Sequence, residues 1–339
     1  DFGGDRRVFN ASVKFLPENA AKALELVNEQ LLTTQFGDRE RVRNLIGEIR
    51  AGLKDTLLSA GHVAAVNRAA SYFSESGVFQ DATKGIAYYR FLEELADEGA
   101  LTAFLQRAEA VLRETIVSGR LLIHLTAERA GKASVLPLLT VLPAQYPAGG
   151  KGEARFRFEQ DIRREGFGAA SRVNYVARVG NFRSGGFRYT GALRIAQTML
   201  SYGYLWNEIR SKGGAYGCAV RFGRGGGVVF SSFRDPKVEA TDRVYEGVPA
   251  YLEQYEADER EMTKAIIGAI GEMDTPRTPQ LSGLVALSAY YSGVTDEMLA
   301  ADRAEVLAAT PEDIRALAPL VREALKYEAK CVIGNEGAI

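Results

Sequence analysis

The strongest constraint on this chain is that it repeats itself, once fully and once in part. Asp38 to Ile49 reads DRERVRNLIGEI and Glu259 to Ile270 reads EREMTKAIIGAI. Each opens on acid-Arg-Glu and closes on an apolar pair, glycine, any residue and isoleucine. Both read as amphipathic helices. In the first, Val42, Leu45, Ile49 and Leu53 recur at the three- and four-residue steps that line one helical face. Upstream of each stands the same unit: a β-rich run, then Pro17 or Pro236 at the expected first helical turn, then a helix through Leu24 or Val244. Downstream, AASYFS at Ala69 to Ser74 is echoed by LSAYYS at Leu287 to Ser292. Order as well as wording is shared, so the chain is read as two related units.

Each unit is expected to close with more helix and a strand, Ile116 to Thr126 in the first and Glu328 to Ile333 in the second. The last helical stretch opens at Thr310-Pro311-Glu312-Asp313, with Thr310 as cap and Pro311 at the first helical position. Between the units lies LPAQYPAGGKG, Leu142 to Gly152, rich in Pro and Gly and without periodicity. The reading is therefore a unit over 1–141, a linker over 142–152 and a unit over 153–339. The second unit carries strand-like runs Arg155 to Phe158 and Val173 to Val179, a helix from Gly191 to Arg210 and a strand at Tyr216, all ahead of Pro236. The first has only a strand-like Arg7 to Phe15 ahead of Pro17, so its front is expected to lie before Asp1. The fold class is α+β, with mostly antiparallel sheet and helices packed on one side. Polar-apolar alternation, as in Arg155-Phe156-Arg157-Phe158, suits a sheet with one wet face.

Composition removes several function classes. The 42 basic and 43 acidic residues leave no global field toward nucleic acid or an anionic membrane. No run approaches the roughly 20 apolar residues that span a bilayer, so a cytoplasmic protein, or one in an organelle lumen, is expected. The two cysteines, Cys218 and Cys331, form no C-x-x-C pair and read as buried apolar thiols. The only histidines, His62 and His124, are far apart and offer no H-x-x-x-H pair on a helix. His124 reads as a structural residue of a strand, and His62, after Ser59-Ala60-Gly61, as one that caps or orients a helix start. No G-x-S-x-G elbow or Cys/His pair suggests covalent catalysis. Gly223-Arg224-Gly225-Gly226-Gly227 lacks the lysine spacing of a phosphate loop and reads as a hairpin turn. The arginines between Arg155 and Arg194 read as a solvated strand face.

What remains is LWNEIRSKGGAYG, Leu205 to Gly217: a helical stretch ending at Arg210, a turn at Gly213 and Gly214, and a strand carrying Tyr216. Arg210 reads either as a helix C-terminal charge favoured by the dipole or as a substrate ligand. Tyr216 reads either as a core aromatic or as a donor to a developing oxyanion, a contribution of about 3 kcal/mol. Such a pair can bind and polarise a carbonyl but cannot by itself break a robust bond.

This passage resembles the C-terminal-half signature of the insulinase/pitrilysin zinc metallopeptidases. SAGHVAAVNRAASYFSESG at Ser59 to Gly77, GIAYYRFLEEL at Gly85 to Leu95 and FLPENAAKALELVNEQLLTTQF at Phe15 to Phe36 are similar to their presequence protease branch. The resemblance implies four related α+β domains in two halves closing on a chamber, of which this chain would be the third, lacking its front, and the fourth. It implies that zinc and the general base belong to an H-x-x-E-H motif in the parent's N-terminal half, that none is bound here, and that the fragment alone is inactive. Tyr216 would then donate to the oxyanion, Arg210 would hold substrate carbonyls, and Gly213 and Gly214 would supply the turn. The implied partners are short unstructured peptides, bound by edge-strand addition, and the catalytic half of the same parent. A non-catalytic scaffold or peptide-binding subunit of the same fold stays open.

Overall fold

A computed structural model describes residues 7–149 and 158–337. In the first half a 3-10 turn, Pro17–Asn19, leads into α1 (Ala20–Thr33), followed by α2 (Arg39–Ser71), α3 (Glu75–Lys84), α4 (Ile86–Glu94), α5 (Glu98–Thr115) and α6 (Arg129–Val141). The second half runs β1 (Arg164–Ala169), β2 (Tyr175–Asn181), α7 (Ala192–Met199), two π-helical turns (Leu200–Tyr204 and Trp206–Ser211), β3 (Gly217–Phe222) and β4 (Gly227–Phe233). It ends with α8 (Val238–Glu253), α9 (Glu259–Met273), α10 (Pro279–Ser292), α11 (Asp296–Leu307), α12 (Pro311–Arg315), α13 (Ala318–Leu325) and β5 (Ala329–Asn335).

Side-chain caps set many of these helix starts. Asp38 accepts from the Arg41 amide at the head of α2, and Asp258 and Glu261 form a reciprocal capping box on α9. The two repeated helices thus begin one residue apart in the register of the repeat. Thr310 is the cap expected at α12 and forms a reciprocal box with Asp313, with Pro311 in the first turn. Pro236 differs from expectation: it stands before α8, whose start is prepared by Asp235 accepting from the Lys237 amide and the Thr241 hydroxyl.

Among the described residues five strands lie in the order β1-β5-β2-β4-β3, with β1 parallel to β5 and every other pair antiparallel. Within the second half the helices gather on one face. There Val176, Phe230, Tyr245, Val248, Leu193 and Val321 form the main core. The opposite face is covered by α2, from the first half. Ala64, Ala65, Ala69 and Tyr72 pack on Tyr175, Ala177, Val179, Cys331 and Ile333, the small alanines letting the helix approach closely. Covered on both sides, β2 reads as a nearly continuous buried run, without the alternation of a half-wet strand.

To lie on the sheet α2 must bend. Ala60 leaves helical geometry at φ −138° and ψ 37°, and the Tyr175 hydroxyl donates to the Leu58 carbonyl at 2.8 Å. Gly61 is needed there, since a Cβ would stand 2.5 Å from the Tyr175 ring. Before the bend the expected apolar stripe is only half-covered, with Leu45 37% and Ile49 45% exposed. A polar clamp fastens α2 beyond the bend. Arg68 bonds Glu165 on β1 at 2.5 and 3.0 Å and Asp81 on α3 at 3.0 Å, while the Tyr72 hydroxyl donates to Glu165 at 2.7 Å.

Two strand expectations match β2 and β5, and Gly223 to Gly227 makes the β3–β4 hairpin. The run Arg155 to Phe158 falls almost wholly outside the described residues, and β1 begins only at Arg164. Arg7 to Phe15 and Ile116 to Thr126 do not form strands among the described residues. From Leu121 to Thr126 half-buried and exposed residues still alternate, the signature of a strand. A strand also needs a neighbour for its amides and carbonyls, and the described residues offer this segment none. Of the linker, Leu142–Gln145 is a 3-10 turn, and residues 150–152 lie outside the described range.

Candidate functional site

The site is made by the way one helix ends. Beyond α7 the chain widens into π-helix, and its last bonds are correspondingly long. The Lys212 amide reaches the Asn207 carbonyl, that of Gly214 reaches Arg210 at 2.9 Å, and that of Ala215 reaches Ile209 at 3.1 Å. The last two form a Schellman-like closure, each one residue wider than in an α-helix. Gly214 takes φ 89°, a left-handed conformation that favours glycine. Gly213 is required for a different reason, because a Cβ there would collide with the Ile209 carbonyl and lie 3.0 Å from that of Glu208. The chain then enters β3 with the Tyr216 amide bonded to the Phe233 carbonyl at 3.1 Å.

This closure sets Arg210 beside Tyr216. The guanidinium donates to the Tyr216 carbonyl and lies 4.3 Å from the Trp206 ring centroid and 5.3 Å from that of Tyr216. Tyr216 is 64% exposed, so it is not a core aromatic. Its ring rests edge-on against Phe233, at 5.6 Å and 64°. Phe233 also meets His62 at 5.1 Å and Tyr175 at 5.6 Å, so the support beneath Tyr216 reaches into α2. Arg234 lies over Phe233 at φ 49°, its carbonyl 3.4 Å from the Tyr216 amide.

His62 makes no capping bond, but it stands where helical geometry resumes after the break at Ala60, at the start of the second segment of α2, with its ring against Phe233. Its Nδ1 is buried without a hydrogen-bond partner among the described residues. Burial first, then the Arg221 charge, lowers its pKa below the ordinary 6.5 and keeps the imidazole neutral near pH 7. His124 lies in the extended segment near Gly283 of α10. Cys331 is buried, whereas Cys218 is only half-buried, and burial followed by Asp235 pushes its thiol up to about 11. Burial raises Cys331 further. Neither is a thiolate near neutral pH. Among the described residues no three His, Cys, Asp or Glu side chains are grouped to hold a metal, so the residues present here do not fit a zinc site.

β3 is an edge strand, but its outer edge is partly sealed. Ser201 Oγ accepts from the Val220 amide at 3.2 Å and Gln197 Oε1 from the Phe222 amide at 3.3 Å. An extended peptide therefore cannot pair along all of β3, and approach is left to the end nearest Tyr216. The arrangement can hold a carbonyl with a guanidinium and offer a phenolic donor. Sequence reasoning misses Trp206 and Phe233. The four-residue step from Trp206 to Arg210 is the available signal for the first, and none exists for Phe233.

Residues 164–335, over half of the chain, match the family model of the PreP C-terminal domain, and residues 4–95 match that of the associated region of the M16 peptidases, subfamily C. Protein HypA of Clostridium perfringens is 34% identical over 334 residues, 98% of this chain and 34% of that protein. Presequence protease 1, chloroplastic/mitochondrial, of Arabidopsis thaliana is 29% identical over 91% of this chain and 29% of its own length. The chain thus spans about a third of these curated relatives. Among solved structures, the peptidase M16 inactive domain from Pseudomonas fluorescens superposes with a TM-score of 0.60 at 15% identity, covering 94% of this chain and 75% of that one. Pitrilysin superposes at 0.51 and 14% identity, covering 94% and 33%. At such identities these two likenesses concern the fold alone.

Proposed function

The chain belongs to the family of the PreP C-terminal domain, in the presequence-protease branch of the M16 peptidases, and from that premise we propose that it is the substrate-binding C-terminal part of a zinc metalloendopeptidase acting on short unstructured peptides. The observation that carries this reading is the placement of Arg210 and Tyr216 side by side on the exposed lip of the Gly213-Gly214 turn. In the proposed mechanism the Tyr216 hydroxyl donates to the oxyanion that develops on the scissile carbonyl. Arg210 holds a neighbouring backbone carbonyl of the peptide, and the glycines fix the separation between the two.

Zinc and the general base are assigned to the parent's other half, which is also the proposed partner. The fragment alone is proposed not to hydrolyse peptides. We read the chain as two related units, 1–141 and 153–339, joined by 142–152, the first helical among its described residues, with a chamber closing between them and the catalytic half. Relatives named for mitochondria or chloroplasts support an organelle lumen for a eukaryotic parent, and the cytoplasm is proposed otherwise.

The test is Tyr216→Phe in the full-length parent. Its hydroxyl has no hydrogen-bond partner among the described residues, so folding should be unaffected. Turnover should drop by about one to three orders of magnitude, as for a lost oxyanion donor. An undiminished rate would refute the assigned role of Tyr216, whereas a wild-type parent without peptidase activity would favour the scaffold reading.

A further inference from the structure

Trp206 is the only tryptophan in the chain. It is half-buried and belongs to neither hydrophobic core. Its contact in the site is with Arg210, one helical step away, at 4.3 Å from ring centroid to guanidinium carbon. The nearby acid, Glu208, pairs instead with Lys212 at 2.6 Å, and among the described residues no carboxylate reaches Arg210.

These facts point to a division of labour. A carboxylate would hold a guanidinium by its in-plane N–H donors, the groups a peptide carbonyl must use. An aromatic ring holds the cation by its face and leaves those donors free. With one donor tied to the Tyr216 carbonyl and the indole against the guanidinium, the side chain is held in one orientation while retaining donors for a ligand. We propose that Trp206 is the positioning residue of the peptide site, fixing Arg210 for substrate while leaving its hydrogen-bonding edge open. This inference rests on the reading of Arg210 as a substrate ligand.

The test uses the full-length parent and an unstructured peptide substrate, with Trp206→Leu, Trp206→Phe, Arg210→Met and the double variant Trp206→Leu/Arg210→Met. Trp206→Leu should raise KM about five- to tenfold with little change in kcat, the signature of lost ground-state binding. Trp206→Phe, which keeps an aromatic face, should recover most of that loss. If Trp206 acts through Arg210, the double variant is no worse than Arg210→Met alone. A wild-type KM in Trp206→Leu beside an impaired Arg210→Met would overturn this inference alone, as would additive losses in the double variant. An unimpaired Arg210→Met would instead sink the reading of Arg210 on which it rests. Should Trp206→Leu fail to fold, the present chain decides: its emission comes from Trp206 alone and should change in Arg210→Met. Unchanged emission would show that the contact is not made.

Discussion

Gly213→Ala is the smallest change that should dismantle the site without touching either of its side chains. The new methyl would be driven into the Ile209 carbonyl, 2.9 Å from the Ile209 carbonyl carbon and 3.0 Å from the Glu208 oxygen. These are backbone atoms of the helix that ends there, so no rotamer change relieves the collision and the turn itself must move. Overpacking of this kind costs about 1–3 kcal/mol. At about 2 °C per kcal/mol for a chain of this size, the melting midpoint should fall by about 2–6 °C. The functional loss should be larger, because the turn sets Arg210 against Tyr216 and a displacement of about 1 Å can cost a hundredfold in rate. Gly214→Ala is the matched control. There the nearest atom is Pro236 Cγ at 3.5 Å, so space exists and only the positive φ is strained, at about 1–2 kcal/mol. The comparison is differential scanning calorimetry of each chain with kcat/KM of the parent. Gly213→Ala should lose about a hundredfold in kcat/KM and Gly214→Ala less than about tenfold. A Gly213→Ala protein with wild-type melting and wild-type kcat/KM would refute the reasoning, and so would the reverse ranking.

Two further outcomes concern pH. The folded-state pKa of His62 lies below the ordinary 6.5, so the unfolded chain takes up that proton first, and stability should fall as pH drops below 6.5. His62→Phe, which keeps a ring against Phe233, should flatten the change in urea midpoint between pH 7.5 and about 5.5; an unaltered slope would exclude His62 as its source. For Glu165, burial pushes the carboxyl pKa up, but the hydrogen bonds from Arg68 and Tyr72 outweigh it and hold the group below the ordinary 4.5. Its contribution is therefore full above 4.5 and is lost as pH falls through the folded value. Glu165→Gln should cost about 2 kcal/mol near neutrality, and its denaturant midpoint should converge with that of the wild type on acidification. A gap that persists in acid would mean that the Arg68 clamp does not depend on the Glu165 charge.

Residues a few positions apart made much of this legible in the sequence. The cap at Thr310, the Gly223–Gly227 hairpin and the spacing of Arg210, Gly213, Gly214 and Tyr216 depend on bonds within single turns. A duplicated helix pattern is readable for the same reason. Expectations failed where an element needs a distant partner. Leu121 to Thr126 has the alternation of a strand but no described neighbour to complete a ladder, and the stripe from Val42 to Leu53 is only half-covered.

The sequence by itself determined the family resemblance, the α+β class and the Arg-Gly-Gly-Tyr turn, because these are written in local spacing. Only the tertiary structure decided that α2 bends at Ala60 to cover the sheet, that His62 and Phe233 lie beneath Tyr216, and that Ser201 and Gln197 seal most of the β3 edge. The physical reason is that burial and strand pairing are contacts between segments far apart in the chain, and no local pattern specifies which distant surface will satisfy them.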